Sequence, residues 1–135
     1  MKSKSGLTKF VFIIALIAAV FCPSLASAET ATFEALRNEL IKGREAVLEG
    51  VTKTTCANML ARIKTMQECV MKLLKESRNS QERNLISKLQ FDLENFRFQC
   101  ALFEDGISEV GVMGSFELVL RSFVELKEFR KYNSL

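Results

Sequence analysis

The chain predicts an all-α fold: a small up-down-up-down helical bundle, three long helices plus a C-terminal helix, behind a cleaved N-terminal signal peptide. Three observations carry this. Apolar residues recur at steps of three and four through four segments, as one face of a helix requires. The single proline, Pro23, lies near the N-terminus, and only five glycines follow it, too few to turn the strands of a β-sandwich. Three cysteines after the leader, Cys56, Cys69 and Cys100, suit an exported domain closed by a disulfide.

The leader is read from residues 1–28. Lys2, Lys4 and Lys9 precede an unbroken apolar run, Phe10 to Cys22, and Ala26 and Ala28 stand at the small-residue positions that signal peptidase requires. Cleavage is expected between Ala28 and Glu29. The run of thirteen residues is short of the roughly 20 needed to span a bilayer, so no stable membrane anchor is expected after cleavage. Bulky Phe21 argues against Cys22 as a lipoprotein cysteine. The lysine-rich start and the "ASA" ending resemble bacterial export, which places the mature chain in the periplasm or outside the cell.

Taking the three leader lysines from 19 basic residues leaves 16 against 16 acids, so residues 29–135 carry no net charge. Nucleic-acid binding thereby loses the surplus of Lys and Arg on which it depends. The remaining 107 residues fit a single helical domain, 29–135.

The first segment, about Thr32 to Val51, sets Phe33, Leu36, Leu40, Val47 and Val51 on one face. Gly43 and Gly50 share that stripe, marking either a weakened helix or a close approach by a neighbour. The second, about Thr54 to Ser77, repeats Cys56, Met59, Ile63, Met66, Val70 and Leu73 as a heptad-like seam opposite Lys, Arg, Asn and Gln. Asn79 or Ser80 then caps a third helix, with Glu82 as reciprocal capping partner. That helix carries Leu85, Leu89, Leu93, Phe96, Cys100 and Phe103, and Asp105-Gly106 stops it. "ISEVGVMG" reads as a short turn or a loop. Ser115 caps the last helix, whose face is Phe116, Val119, Leu120 and Phe123.

Helix three also carries a second stripe. Phe91, Phe98 and Leu102 lie nearly opposite the first, because two residues along a helix is about 200° of rotation. Either this helix is covered on both sides, or the stripe is a face for a partner.

Cys56 and Cys69 lie about 20 Å apart on a continuous helix, beyond the roughly 7 Å that a disulfide tolerates. Folding helices two and three into an antiparallel hairpin about Asn79 brings residues of nearly constant summed number, about 157, face to face. Cys56 then meets Cys100, and the expected bridge is Cys56–Cys100. Cys69 is left as a half-buried free thiol; an intermolecular Cys69 bridge would make a homodimer.

Without histidine the chain has no imidazole base, no Ser-His-Asp or Cys-His nucleophile and no histidine-ligated metal. Cys56/Met59 and Met66/Cys69 offer soft sulfur pairs, but two turns separate them and the methionines fit the core seam. No catalytic residue, no cofactor and no metal site is expected. The function that follows is an exported, non-catalytic protein-binding module (adaptor, inhibitor, immunity-type or chaperone-like) stabilised by one disulfide and acting on another protein. The alternative is a carrier of an apolar ligand within the bundle, its eight phenylalanines lining the cavity.

Overall fold

The structure, a computed structural model, describes residues 25–103 and 109–133, with side chains from Thr30 onward. Most of the expected leader, residues 1–24, lies outside the described residues, as does the Asp105-Gly106 stop. The chain divides into two compact units, Met1–Ala31 and Thr32–Leu135; the second holds the bundle. Four α-helices follow one another: α1, Leu25–Glu49; α2, Lys53–Glu76; α3, Ser80–Ala101; and α4, Glu109–Asn133. No strand occurs among the described residues.

Cross-helix pairs fix the direction of each neighbour. Gln67 of α2 donates to Glu94 of α3 at 2.9 Å, and Met71, one turn on, receives Gln90, one turn back. Lys88 reaches Glu125, and Glu82 reaches Arg130, so α4 runs against α3. Arg62 meets Glu39 at 3.2 Å while Met59 meets Gly43, so α1 opposes α2. Phe33 stacks on Phe123 and Gly43 faces Phe116, which closes α1 against α4. The result is a four-helix bundle in up-down-up-down order.

The core is the sum of the four apolar stripes. The buried residues of α2 are Cys56, Met59, Ile63, Met66, Val70 and Leu73, the same six that the seam predicts. Leu36, Leu40 and Val47 of α1 meet them, with Ile86, Leu89, Leu93, Phe96 and Cys100 of α3 and Val112, Phe116, Val119, Phe123 and Leu126 of α4. Removing one such side chain from water is worth roughly 1.5–3 kcal/mol, which makes this stripe set the main favourable contribution. Phe96 and Phe116 hold the centre, with ring centroids 4.9 Å apart.

Four expectations are corrected. The C-terminal helix is not the lesser of four: it spans 25 residues because "EVGVMG" joins it. Val112 and Ser115 are buried in register with Phe116 and Val119, and that burial outweighs the cost of Gly111 and Gly114 in a helix interior. Ser115 is therefore no cap; its hydroxyl donates to the Val112 carbonyl. In α3 the buried stripe opens at Ile86, with Leu85 only partly buried beside it. Asn79 caps α3 as expected, its Oδ1 accepting from the Glu82 N–H at 2.9 Å, but the Glu82 carboxylate turns away to Ser77 and Arg130 instead of completing the box.

The two glycines of the first stripe do different jobs. Gly50 ends α1 with φ +147, a backbone state that side chains disfavour, and nothing crowds it. Gly43 is helical and enclosed: a Cβ there would touch Met59 Sδ and Met66 Cε at 3.4 Å and Phe116 Cζ at 3.5 Å. That is ordinary contact against two flexible side chains and a ring edge. Gly43→Ala is accordingly expected to stabilise by about 0.5–1 kcal/mol and Gly50→Ala to destabilise by about 1 kcal/mol, read as opposite shifts of a urea midpoint. Two shifts of the same sign would contradict this division of roles.

Candidate functional site

Three places concentrate chemistry: one end of the bundle, the thiols at the other end, and the outer surface of the α2–α3 hairpin.

At the turn end, Glu82 in the first turn of α3 is two-thirds of a junction. One carboxylate oxygen accepts the Ser77 hydroxyl at 2.6 Å and the other accepts Arg130 of α4 at 2.9 Å. Both partners of the Arg130–Glu82 pair are largely buried, and the Arg130 guanidinium also lies 4.8 Å over the Phe33 ring, which stacks on Phe123. Three helices and one link thus meet on a single charge pair sheltered from solvent, where such pairs are screened least. Arg83 finishes the same end, donating to the Leu74 and Ser77 carbonyls that α2 leaves without intrahelical partners. Midway along α3, buried Asp92 accepts the Ser122 hydroxyl of α4. This hydrogen bond ties α4 to α3 across the core.

At the other end Cys56 and Cys100 lie side by side, as the hairpin register predicts. Both are buried thiols in this structure. Burial pushes the Cys100 thiol up to about 12, and the neighbouring Cys56 adds to the shift through charge and through a side-chain hydrogen bond. Cys69 is separate, half-buried on the side of α2 that faces Glu39. Its pKa is raised by burial first and by Glu39 next, partly offset by Lys72, which keeps it protonated and slow to react. Met59 and Met66 are buried in the seam, and among the described residues no cluster of His, Cys, Asp or Glu is placed to hold a metal.

On the outer surface, Phe91, Phe98 and Leu102 all face away from the core, 74%, 53% and 57% exposed. Of the two alternatives for the second stripe, the described residues therefore show the uncovered one. The charges beside it are drawn sideways: Lys88 to Glu125 on α4, and Glu94 to Gln67 on α2 and to Arg97 on its own helix. The Arg97 bond holds the Glu94 carboxyl below its usual range, and the Glu125 bond raises Lys88. Asn84, Ser87 and Asn95 fill the rest of the strip, so the outward face of α3 is uncharged along its centre.

Beside this strip, along α2, runs a groove of about 630 Å³ whose walls include Lys64, Met71, Lys72, Leu74, Lys75 and Arg83. A smaller groove of about 500 Å³ lies between α1 and α4, where Leu48, Val110 and Met113 are exposed. Sequence reading named the α3 stripe and the cysteine pair. It missed the Glu82–Arg130–Phe33 junction and the Asp92–Ser122 tie, since both join helices far apart in the chain; only the placement of Arg130 near the end of α4 hinted at the first. No helix among the described residues is long and apolar enough to cross a membrane. No family model matches this chain, and no curated protein or solved structure is significantly similar to it.

The thiol geometry sets a pH dependence. An acid whose folded pKa lies above its unfolded value stabilises fully below the unfolded pKa, here 9.0, and that contribution is lost as pH rises toward 12. The reduced protein should lose urea stability progressively above pH 9.0, and Cys100→Ala should flatten that slope to the smaller part due to Cys69. An unchanged slope in the variant would refute the assignment.

Proposed function

We propose that this protein is an exported, non-catalytic protein-binding module of the adaptor, inhibitor, immunity or chaperone type, acting through the outward face of α3. The observation that carries the reading is the exposure of Phe91, Phe98 and Leu102 on a helix whose core stripe is already satisfied on its other side. A helix with one buried face needs no second apolar one for folding, and holding large rings in water costs free energy that a partner recovers.

Export is supported by the leader pattern of residues 1–28, with cleavage between Ala28 and Glu29. It also gives the adjoining thiols a role. In an oxidising compartment Cys56 and Cys100 give up two protons and two electrons to a disulfide-bearing oxidant, which is reduced to its dithiol, and one S–S bond forms between them. Closing that loop stabilises the domain by roughly 4 kcal/mol in the chain-entropy account. Non-reducing peptide mapping of the exported protein should find Cys56 joined to Cys100.

The test of function compares the wild-type protein with Phe91→Ser/Phe98→Ser as bait in the exported fraction. The exposed positions should leave the variant's helicity and thermal midpoint nearly unchanged, within about 0.5 kcal/mol per site, while a polypeptide held by wild type is lost. Unfolding of the variant would show the stripe to be core and end the proposal. Organic extraction of the same wild-type preparation separates the rival reading, since a carrier of an apolar ligand would release lipid or pigment.

A further inference from the structure

The surface beside the α3 stripe is not neutral: its groove is lined by Lys64, Lys72, Lys75 and Arg83 against Glu68. Lys64, Lys72 and Lys75 are exposed on α2 and make no ion pair among the described residues. Arg83 closes the groove from the start of α3. Glu68, one turn from both Lys64 and Lys72, is the acid among the groove's lining residues and offsets one of its four cations; Glu94 on the facing helix is committed to Arg97 and Gln67. Elsewhere Arg37, Arg62, Arg97 and Arg130 each have a carboxylate partner, whereas this groove gathers three lysines without one. Between the cations lie Met71, 49% exposed, and Leu74; Gln90 of α3 donates to the Met71 sulfur, joining this floor to the helix that bears Phe91 and Phe98.

We infer that this basic-rimmed apolar groove, with the adjoining Phe91/Phe98 stripe, is the docking surface for an acidic amphipathic segment of a partner protein. The inference rests on the protein-binding reading and names the partner's chemistry. The occupant follows from complementarity. A helix with one apolar edge sets that edge on Met71, Leu74 and the phenylalanines, and acids flanking the edge meet Lys64, Lys72 and Lys75. The groove's walls run from Lys64 to Lys75, about three turns of α2, a length that suits a helical ligand. Unpaired surface lysines set encounter rate and selectivity more than ultimate affinity, so the interaction should be salt-dependent.

The probes are two fluorescein-labelled helical peptides of equal length, one of Leu and Glu, the other of Leu and Lys in the same order, titrated by anisotropy at low and high salt. The acidic peptide should bind at least about ten-fold more tightly than the basic one. Lys64→Glu/Lys72→Glu/Lys75→Glu, exposed positions that leave the fold intact by circular dichroism, should erase most of that preference. The corresponding Lys→Gln variant should fall between. Equal binding of both peptides, abolished by Phe91→Ser/Phe98→Ser, would overturn the charge inference while the protein-binding reading stands. Tighter binding of phosphatidylcholine–phosphatidylglycerol vesicles or of oligothymidylate than of the acidic peptide would overturn both. Failure of the acidic peptide to bind would overturn the inference as well.

Discussion

The antiparallel packing of α2 on α3 is the constraint from which the rest of this structure follows. Six side chains of α2, from Cys56 to Leu73, repeat at alternating steps of three and four and are all buried. Such a seam can be satisfied only by a partner helix along its whole length, and the three-residue link between Glu76 and Ser80 leaves α3 no choice but to turn back at once. Once those two helices are paired, α1 and α4 complete the enclosure, and Gly43 marks where Met59, Met66 and Phe116 press closest upon α1.

The two ends of that hairpin are held by different chemistry. At the turn, a sheltered ion pair binds α3 to α4, with Phe33 of α1 against it. The desolvation cost of such a pair is offset only when the remaining hydrogen-bonding capacity is met, and Ser77 meets it for Glu82. At the open end the adjoining sulfurs of Cys56 and Cys100 join α2 to α3. Burial holds the Cys100 thiol up to about 12, which makes it a poor nucleophile near neutral pH.

How much of this could be read from the residues depends on which forces write local patterns. The α2 seam was legible in full because every second turn repeats it, and the nearness of Cys56 to Cys100 followed from hairpin arithmetic alone. The opening of α3 was misread by one residue, Leu85 for Ile86, because both are apolar and rotation by one step still falls within a broad stripe. The start of α4 was hidden by Gly111 and Gly114, whose low helix propensity is outweighed by burial of Val112 and Ser115, a tertiary effect without a local signature. The exposure of Phe91, Phe98 and Leu102 was half-legible: rotation placed them opposite the core, but only the positions of the neighbouring helices show that the described residues leave them uncovered.

The distribution of charge makes the last step. Residues 29–135 are neutral as a set, and a composition argument alone would deny them any electrostatic preference. Pairing changes that, because it consumes charges unevenly. Arg62, Lys88, Arg97 and Arg130 are each matched with an acid, which neutralises the flanks of α3 and the turn end. What remains along the outer side of α2 is an excess of cations, Lys64, Lys72 and Lys75 against Glu68, directly beside apolar side chains that water solvates poorly. A neutral chain can therefore present a locally positive face, because the total does not say which charges are left unmatched or where.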